Sequence, residues 1–353
     1  MANKKILISA LIMFFFILFY LVFAARPLGK EYHYEPEWET NILNSSDKPS
    51  GKDTYFFKLE NKAGYFDVDG TITKLITFPE GDKVSISEEY YATYPVNAEN
   101  TDFFDQNGTL KGTIKEAGFP YFSDDRIFLF LTDGCSVSRY DSQGNLLWTY
   151  YGVMPVTAFA SKKTSTAIGL ADGTIKVFDT QSGELKLQYA PGGSDNPVIL
   201  GLDISSDSQY IASVSGRNQQ RFVLTHREGN QQKVIYHKFL DSDSPYRTSV
   251  YFTKDNKRVF YNNKSTVSIY DIEKNKNYDL NIKDKVISIR ENDNFVYILT
   301  KNKNTYTVYL ITNTNSIEGS FAFEAQSAFI QCDEDHLYVG KDTSISCLSI
   351  NRE

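Results

Sequence analysis

An aromatic residue followed by Asp, with Gly or Asn three or four positions later, recurs along most of this 353-residue chain. It stands at Phe66-Asp67…Gly70, Phe104-Asp105…Gly108, Tyr140-Asp141…Gly144, Phe178-Asp179…Gly183 and Tyr270-Asp271…Asn275. The Asp spacings are 38, 36, 38 and 92, the last being twice 46. A variant at Leu224-Thr225…Gly229 fills the gap, and weaker ones follow at Leu310-Ile311…Asn315 and Leu348-Ser349. Asp and Thr bond their own backbone and Gly and Asn tolerate positive φ, so these are hairpin turns. A turn repeated at this period means a chain built from like units.

Upstream of the turns, apolar alternation, a polar turn and renewed alternation recur, as in VILGLDISSDSQYIASVSG and VISIRENDNFVYILTKN. Each is a strand pair. A third strand ends in the aromatic-Asp pair (TIKVFD, STVSIYD) and a fourth follows it (LLWTYY, LKLQYA). Four antiparallel strands per roughly forty residues is one blade of a β-propeller, which buries its faces only when the blades close in a ring. Eight turns predict an all-β, eight-bladed propeller over 54–353. The last repeat ends after its third strand, leaving the fourth to the N-terminal part; such sharing gives seven blades as the alternative.

Segments such as ADGTIKVFDTQSGEL resemble WD40-type blades. Asp141-x-x-Gly144-x-x-x-Trp148 and Asp179-x-x-Ser182-Gly183-x-x-x-Leu187 resemble the tryptophan-docking motif of pyrroloquinoline-quinone-type propellers. The Gly-His and Trp-Asp dipeptides of WD40 repeats are absent, and Trp148 is the single docking tryptophan of this reading.

Ahead of the repeats, Ile6–Ala25 runs twenty residues without a charge, and at about 1.5 Å per residue it matches a hydrocarbon core of about 30 Å. It is read as a transmembrane signal anchor (6–25) behind a cytoplasmic tip (1–5). A signal peptide cleaved after Val22-Phe23-Ala24 is the alternative. Lys4 and Lys5 held inside place the body outside the cytoplasm, giving a single-pass inner-membrane protein. Residues 26–53, mixed in Pro, Gly, Ser and charge, are read as a spacer whose aromatics Tyr32, Tyr34 and Trp38 have the option of docking onto the body.

Net charge −7 and pI near 5.3 argue against nucleic acid as partner. Three cysteines (Cys135, Cys332, Cys347) and four histidines (His33, His226, His237, His336) show no metal-ligand spacing, so no metal or cofactor is expected. Phe66-Asp67-Val68-Asp69-Gly70-Thr71-Ile72 resembles the nucleophile motif of haloacid-dehalogenase-type phosphatases. That chemistry needs a parallel sheet flanked by helices, whereas strand alternation follows Thr71, and Asp67 shares its place with four other turn aspartates. Asp67-Val68-Asp69-Gly70 and Asp105-Gln106-Asn107-Gly108 resemble the start of a calcium loop, but Ile76 and Ile114 stand where a carboxylate is required.

The expectation is therefore a non-catalytic interaction or scaffold module with protein partners in a bacterial-type cell envelope. In design it resembles the propeller subunit of the outer-membrane barrel-assembly machinery. Phe119, Tyr121, Met154, Tyr246 and Arg247, near the starts of first strands, are the candidate interaction face, with Arg217 and Arg221 as a second candidate segment. A hydrolase, lyase or quinoprotein-like enzyme with its site in the central funnel is the alternative.

Overall fold

The computed structural model describes residues 2–23, 32–44, 47–48, 51–229, 231–241, 244–263 and 266–352. They form an eight-bladed β-propeller of eight antiparallel sheets, seven four-stranded and one three-stranded. Blade 1 covers 54–77, blade 2 83–114, blade 3 118–150, blade 4 156–189, blade 5 199–239, blade 6 250–280 and blade 7 285–324. Blade 8 combines Ala328–Cys332, His336–Lys341 and Ser344–Arg352 with Tyr32–Asn41 as its outermost strand. The chain ends do share a blade, and it is the eighth, so sharing does not reduce the count to seven.

The repeated aspartates act as the sequence predicts. Oδ1 of Asp67 accepts from the N–H groups of Asp69 (3.1 Å) and Thr71 (2.9 Å), and Asp105, Asp141 and Asp179 each accept two backbone N–H bonds in the same way. The backbone closes each turn behind them, as where Gly70 N donates to Asp67 O at 2.9 Å. Gly70 (φ 81°), Asn275 (φ 51°) and Asn315 (φ 62°) occupy the left-handed region that the turn demands. The register slips by one residue just before the turn in six blades, at an aromatic in four of them (Phe66, Phe104, Tyr140 and Phe178) and at Leu224/Thr225 and Leu310/Ile311 in the other two. Such a bulge adds twist to the outer strand pair.

The apolar core lies between blades, each junction holding its own cluster. Ala158, Ala167 and Val177 of blade 4 pack on Ile199, Leu202 and Ile211 of blade 5; Phe260 and Ile269 of blade 6 pack on Val286 and Ile298 of blade 7. The junction of blades 1 and 2 is the thinnest, with its buried residues split into two groups of three, Ala63, Phe78 and Val84, and Tyr65, Ile76 and Tyr91.

Blade 1 departs from the repeat. Asp67 lies between its second and third strands, whereas Asp105, Asp141 and Asp179 lie between third and fourth. Its innermost strand, Thr54–Leu59, runs opposite to the inner strands of the other blades. Phe56, near its start, accepts from Nε2 of Gln331 near the end of the inner strand of blade 8 (3.0 Å). Glu60, just past its end, donates its N–H to Oγ of Ser327, just before that strand begins (3.1 Å). Among the described residues blade 1 thus has no first strand, and its second takes the inner place. Its outer edge is covered by the chain that precedes it, with Lys48 N donating to Ile72 O and Leu75 N to Asp47 Oδ1.

Tyr32–Asn41 corrects the spacer assignment: within 26–53, these residues pair antiparallel with Ser344–Arg352 over nearly their whole length. Residues 26–31, 45–46 and 49–50 lie outside the described residues. The physical reason is the unpaired edge that blade 8 otherwise exposes. Trp38 also docks as Trp148 does. Trp148 donates Nε1–H to Thr180 O (3.1 Å), stacks on Phe178, and leaves no room for a side chain at Gly183, where an added Cβ would sit 2.5 Å from the indole. Trp38 donates to Val68 O (3.1 Å) and covers Gly70, where a Cβ would lie 2.7 Å from its ring. Each indole joins an outer strand to the Asp turn of the following blade, so the protein has two docking tryptophans.

The membrane-anchor expectation is corrected as well. A helix, α1, covers Ala2–Phe23, and the side chains described along it are those of residues 10–20. Among the described residues no helix is long and apolar enough to cross a membrane, so the single-pass inner-membrane placement is not supported. The side chains of Lys4 and Lys5, and the cleavage alternative ending at Ala24, lie outside what is described.

Each docking indole is half-buried, so removing it strips ring packing and one hydrogen bond from the turn it covers, a change that costs roughly 2–3 kcal/mol. Trp38→Ala and Trp148→Ala are each expected to lower the urea midpoint by that order; losses below about 1 kcal/mol in both would show that the indoles do not fasten neighbouring blades.

Candidate functional site: the central channel

The inner strands line a central channel with two mouths. At the hairpin mouth, where first strands turn into second strands, the walls are Tyr55, Ser87, Glu88, Tyr121, Lys162, Tyr251, Lys254, Arg290, Glu291 and Gln331, around a space of ≈ 550 Å³. At the loop mouth, where first strands begin, the walls are Phe130, Phe159, Leu200, Arg247, Val250 and Ile287, around ≈ 520 Å³. Tyr121, Tyr251, Ile289 and Arg290 border both spaces and form the waist.

The two mouths differ in chemistry. The hairpins supply Glu88-Glu89, Asp124-Asp125 and Asp333-Glu334-Asp335 against Lys162-Lys163 and Lys254, a surplus of negative charge. The loop mouth is aromatic and aliphatic, and Arg247 reaches across it to Val156 O at 3.4 Å.

Polar side chains near the hairpin mouth cross every blade junction. Tyr65 of blade 1 donates to Ser87 O of blade 2 (2.9 Å), and Ser87 Oγ to Asp124 O of blade 3 (2.8 Å). Arg126 of blade 3 donates to Ser161 O of blade 4 (3.3 Å), and Lys162 of blade 4 pairs with Asp203 of blade 5 (3.4 Å). Asp203 accepts from Phe252 N of blade 6 (2.8 Å), and Glu291 of blade 7 accepts from Lys254 N of blade 6. Arg290 of blade 7 donates Nε–H to Gln331 of blade 8 (2.8 Å), which donates to Phe56 O of blade 1. The circuit closes on itself.

Burial raises the carboxyl pKa of Asp203 above its ordinary value, opposed by Lys162 and by the Phe252 and Ile204 N–H groups. Burial likewise raises Glu291, against the Lys254 N–H and the Tyr251 hydroxyl. Glu88 is open to water in the lumen, yet desolvation by the surrounding walls raises it too. Asp203 and Glu291 have oxygens committed to neighbouring backbone N–H groups, so their first role is joining blades.

Of the residues singled out from sequence, Tyr121 and Arg247 do line the channel, and Tyr121 packs edge-on to Phe130 and Phe159 (centroids 6.1 and 5.6 Å). Phe119, two residues earlier on the same strand, shares its face and is 40% exposed. Met154 and Tyr246 sit on interblade loops at the same mouth, 41% and 77% exposed, and Tyr151 and Val153 are both more exposed than their neighbour Met154. Arg217 and Arg221 are not brought to this group. Arg217 lies exposed on the second-to-third strand turn of blade 5, and Arg221 packs over Phe239 at 5.7 Å. Asp203, Arg290, Glu291 and Gln331 were not anticipated. Their signal was a charged or amide group inside otherwise apolar strands, ILGLDI, KVISIRE and AFIQC.

A family model described as "beta-propeller protein" matches residues 1–353. The chain belongs to that family. An "Uncharacterized protein" of Treponema pallidum (strain Nichols) is 27% identical to this propeller over 270 residues, covering 73% of this chain and 71% of the relative. The crystal structure of BamB from Moraxella catarrhalis superposes with a TM-score of 0.62 at 11% identity, covering 90% of this chain and 100% of that one. At that identity the likeness is one of fold.

Because the folded-state pKa of Asp203 is raised, its contribution to stability is complete below the ordinary carboxyl value of about 3.9 and declines as the pH rises past it. Asp203→Asn is therefore expected to give a flatter profile of Tm against pH between about 4 and 8 than the parent protein. Parallel profiles would show that Asp203 ionises without penalty.

Proposed function

We propose that this propeller is a non-catalytic scaffold that seats a protein partner of the cell envelope on the loop mouth of its channel. The observation that carries the reading is the exposed set Phe119, Tyr121, Tyr151, Val153, Met154 and Tyr246 around Arg247. Aromatic residues, Met and Arg are the types enriched in interface cores, and a cluster of them next to a concave mouth offers a partner side chains to bury. The architectural likeness to BamB supports the reading by analogy of fold only. The finer kinship with WD40-type or quinone-type repeats is supported by the Asp turns and the two docked indoles.

A second reading, an enzyme working at the hairpin mouth, is favoured by the raised carboxyl of Glu88 facing the lumen that Arg290 also lines. Against it, Asp203 and Glu291 are held in backbone hydrogen bonds between blades.

A photo-crosslinking residue placed at Tyr246 is expected to capture a protein-sized adduct in cells, while the same residue at Asp293 on the opposite face captures none. Adding Arg247→Glu and Met154→Asp is expected to cut the yield at least about tenfold, the effect of losing roughly 1.4 kcal/mol of binding. Adducts at Asp293 alone, or turnover of a small molecule that Glu88→Gln abolishes, would favour the enzyme.

A further inference from the structure

Away from the channel, three side chains of different chemistry meet on the closing blade. Glu37 comes from the N-terminal strand, His336 and Cys347 from the second and third strands of blade 8. Oε2 of Glu37 lies 3.4 Å from Nε2 of His336, and a carboxylate oxygen of Glu37, a ring nitrogen of His336 and Sγ of Cys347 all lie within 4.8 Å of one another. Ligands at 2.0–2.1 Å on a tetrahedral ion stand about 3.3 Å apart, so the carboxylate and imidazole are already at ligand spacing.

We infer that Glu37, His336 and Cys347 form a zinc-type metal site that clamps the N-terminal strand to the C-terminal strands. Three independent features of the surroundings support it. Asp333 holds the imidazole by its other nitrogen, both carboxylate oxygens lying 3.1 Å from Nδ1. A carboxylate only accepts, so Nδ1 carries a hydrogen toward Asp333 and Nε2 is the nitrogen left to face Glu37; this carboxylate–histidine arrangement is how protein zinc ligands are oriented. Asp333 is itself fixed by the Tyr338 hydroxyl (2.5 Å) and the His336 N–H (2.7 Å).

The second feature is a bulge. Pro36 pairs with Leu348 and Trp38 with Cys347, leaving Glu37 as the extra residue. The strand thereby sets both its docking indole and a carboxylate opposite Cys347, and bulges commonly serve to re-aim a side chain in this way. The third is access. Glu37 is exposed and His336 half-buried, while Cys347 is 1% exposed, so an ion can enter from the solvent side and keep a water as fourth ligand. A thiolate with an imidazole suits zinc; calcium and magnesium call for oxygen ligands throughout.

Cobalt(II) titrated into the chelator-treated full chain is expected to give, at one equivalent, intense tetrahedral bands and a sulfur-to-cobalt charge-transfer band that zinc abolishes. The band should vanish in Cys347→Ser and persist in the double variant Cys135→Ser/Cys332→Ser. Zinc at a hundredfold excess over Kd should raise Tm by about 4 °C. Glu37→Gln, on an exposed residue whose change leaves the fold intact by circular dichroism, should weaken zinc binding about tenfold or more. A folded protein that gives no sulfur band at one equivalent, or equal zinc affinity in the parent and Glu37→Gln, overturns the site.

Discussion

No blade of this protein can bury its two faces alone, and every other feature answers to that constraint. Each sheet is amphipathic on both sides, so its apolar residues are shielded only by the sheets before and after it. A linear stack would leave two end faces bare; a ring leaves none. Closing the ring sets a second requirement near the axis, where inner strands converge and backbone groups of neighbouring blades face one another. The circuit running from Tyr65 through Ser87, Arg126, Asp203, Glu291, Arg290 and Gln331 back to Phe56 meets it by satisfying one blade's donors and acceptors from the next. Apolar clusters supply most of the driving force at each junction, and the polar circuit fixes how the blades are oriented within it.

That division explains which parts of the architecture are legible in the sequence. Asp turns are local: the Asp67 carboxylate bonds N–H groups two and four residues on, so five adjacent letters suffice to recognise them. Their period then implied blades, and the short final repeat implied a shared one. Trp38 was legible as an aromatic able to dock onto the body but not as a second docking tryptophan, because its docking partner, the Val68–Gly70 turn, lies about thirty residues ahead on a different blade. The missing first strand of blade 1 was hidden for a similar reason. Thr54–Leu59 and Lys62–Asp67 read as an ordinary hairpin, and only the bonds to Ser327 and Gln331 at opposite ends reveal that the inner strand is reversed.

The channel was legible in part. Positions near the start of a first strand must face one mouth of the ring, which is why Tyr121 and Arg247 lie where topology places them. Arg217 and Arg221 belong to a second-to-third strand turn, farther from the axis, and no local pattern separates that radius from the inner one. Asp203 and Glu291 illustrate the opposite failure. Each is an acid within a buried strand, a placement that demands a partner, but the partner is an N–H group of another blade. Residue type announces the demand and ring geometry alone says where it is met.

The same reasoning bears on why the closing blade carries an additional fastening. Consecutive blades are held by covalent connection as well as by packing, whereas the junction made by Tyr32–Asn41 joins the two ends of the chain and depends wholly on non-covalent contacts. One blade further on, the junction of blades 1 and 2 has the thinnest apolar packing of the ring, since blade 1 has lost a strand. The seam is therefore reinforced where opening would start: a nine-pair ladder, an indole docked on the Asp67 turn, and Glu37, His336 and Cys347 brought together across the strands that meet there. If the seam opened, the blade 8 edge and the outer flank of blade 1 would be exposed together, so fastening one strand protects two blades. A ligand bridging those strands would act on the one contact whose loss unwinds the ring, and for that reason would stabilise the fold beyond its local bonds.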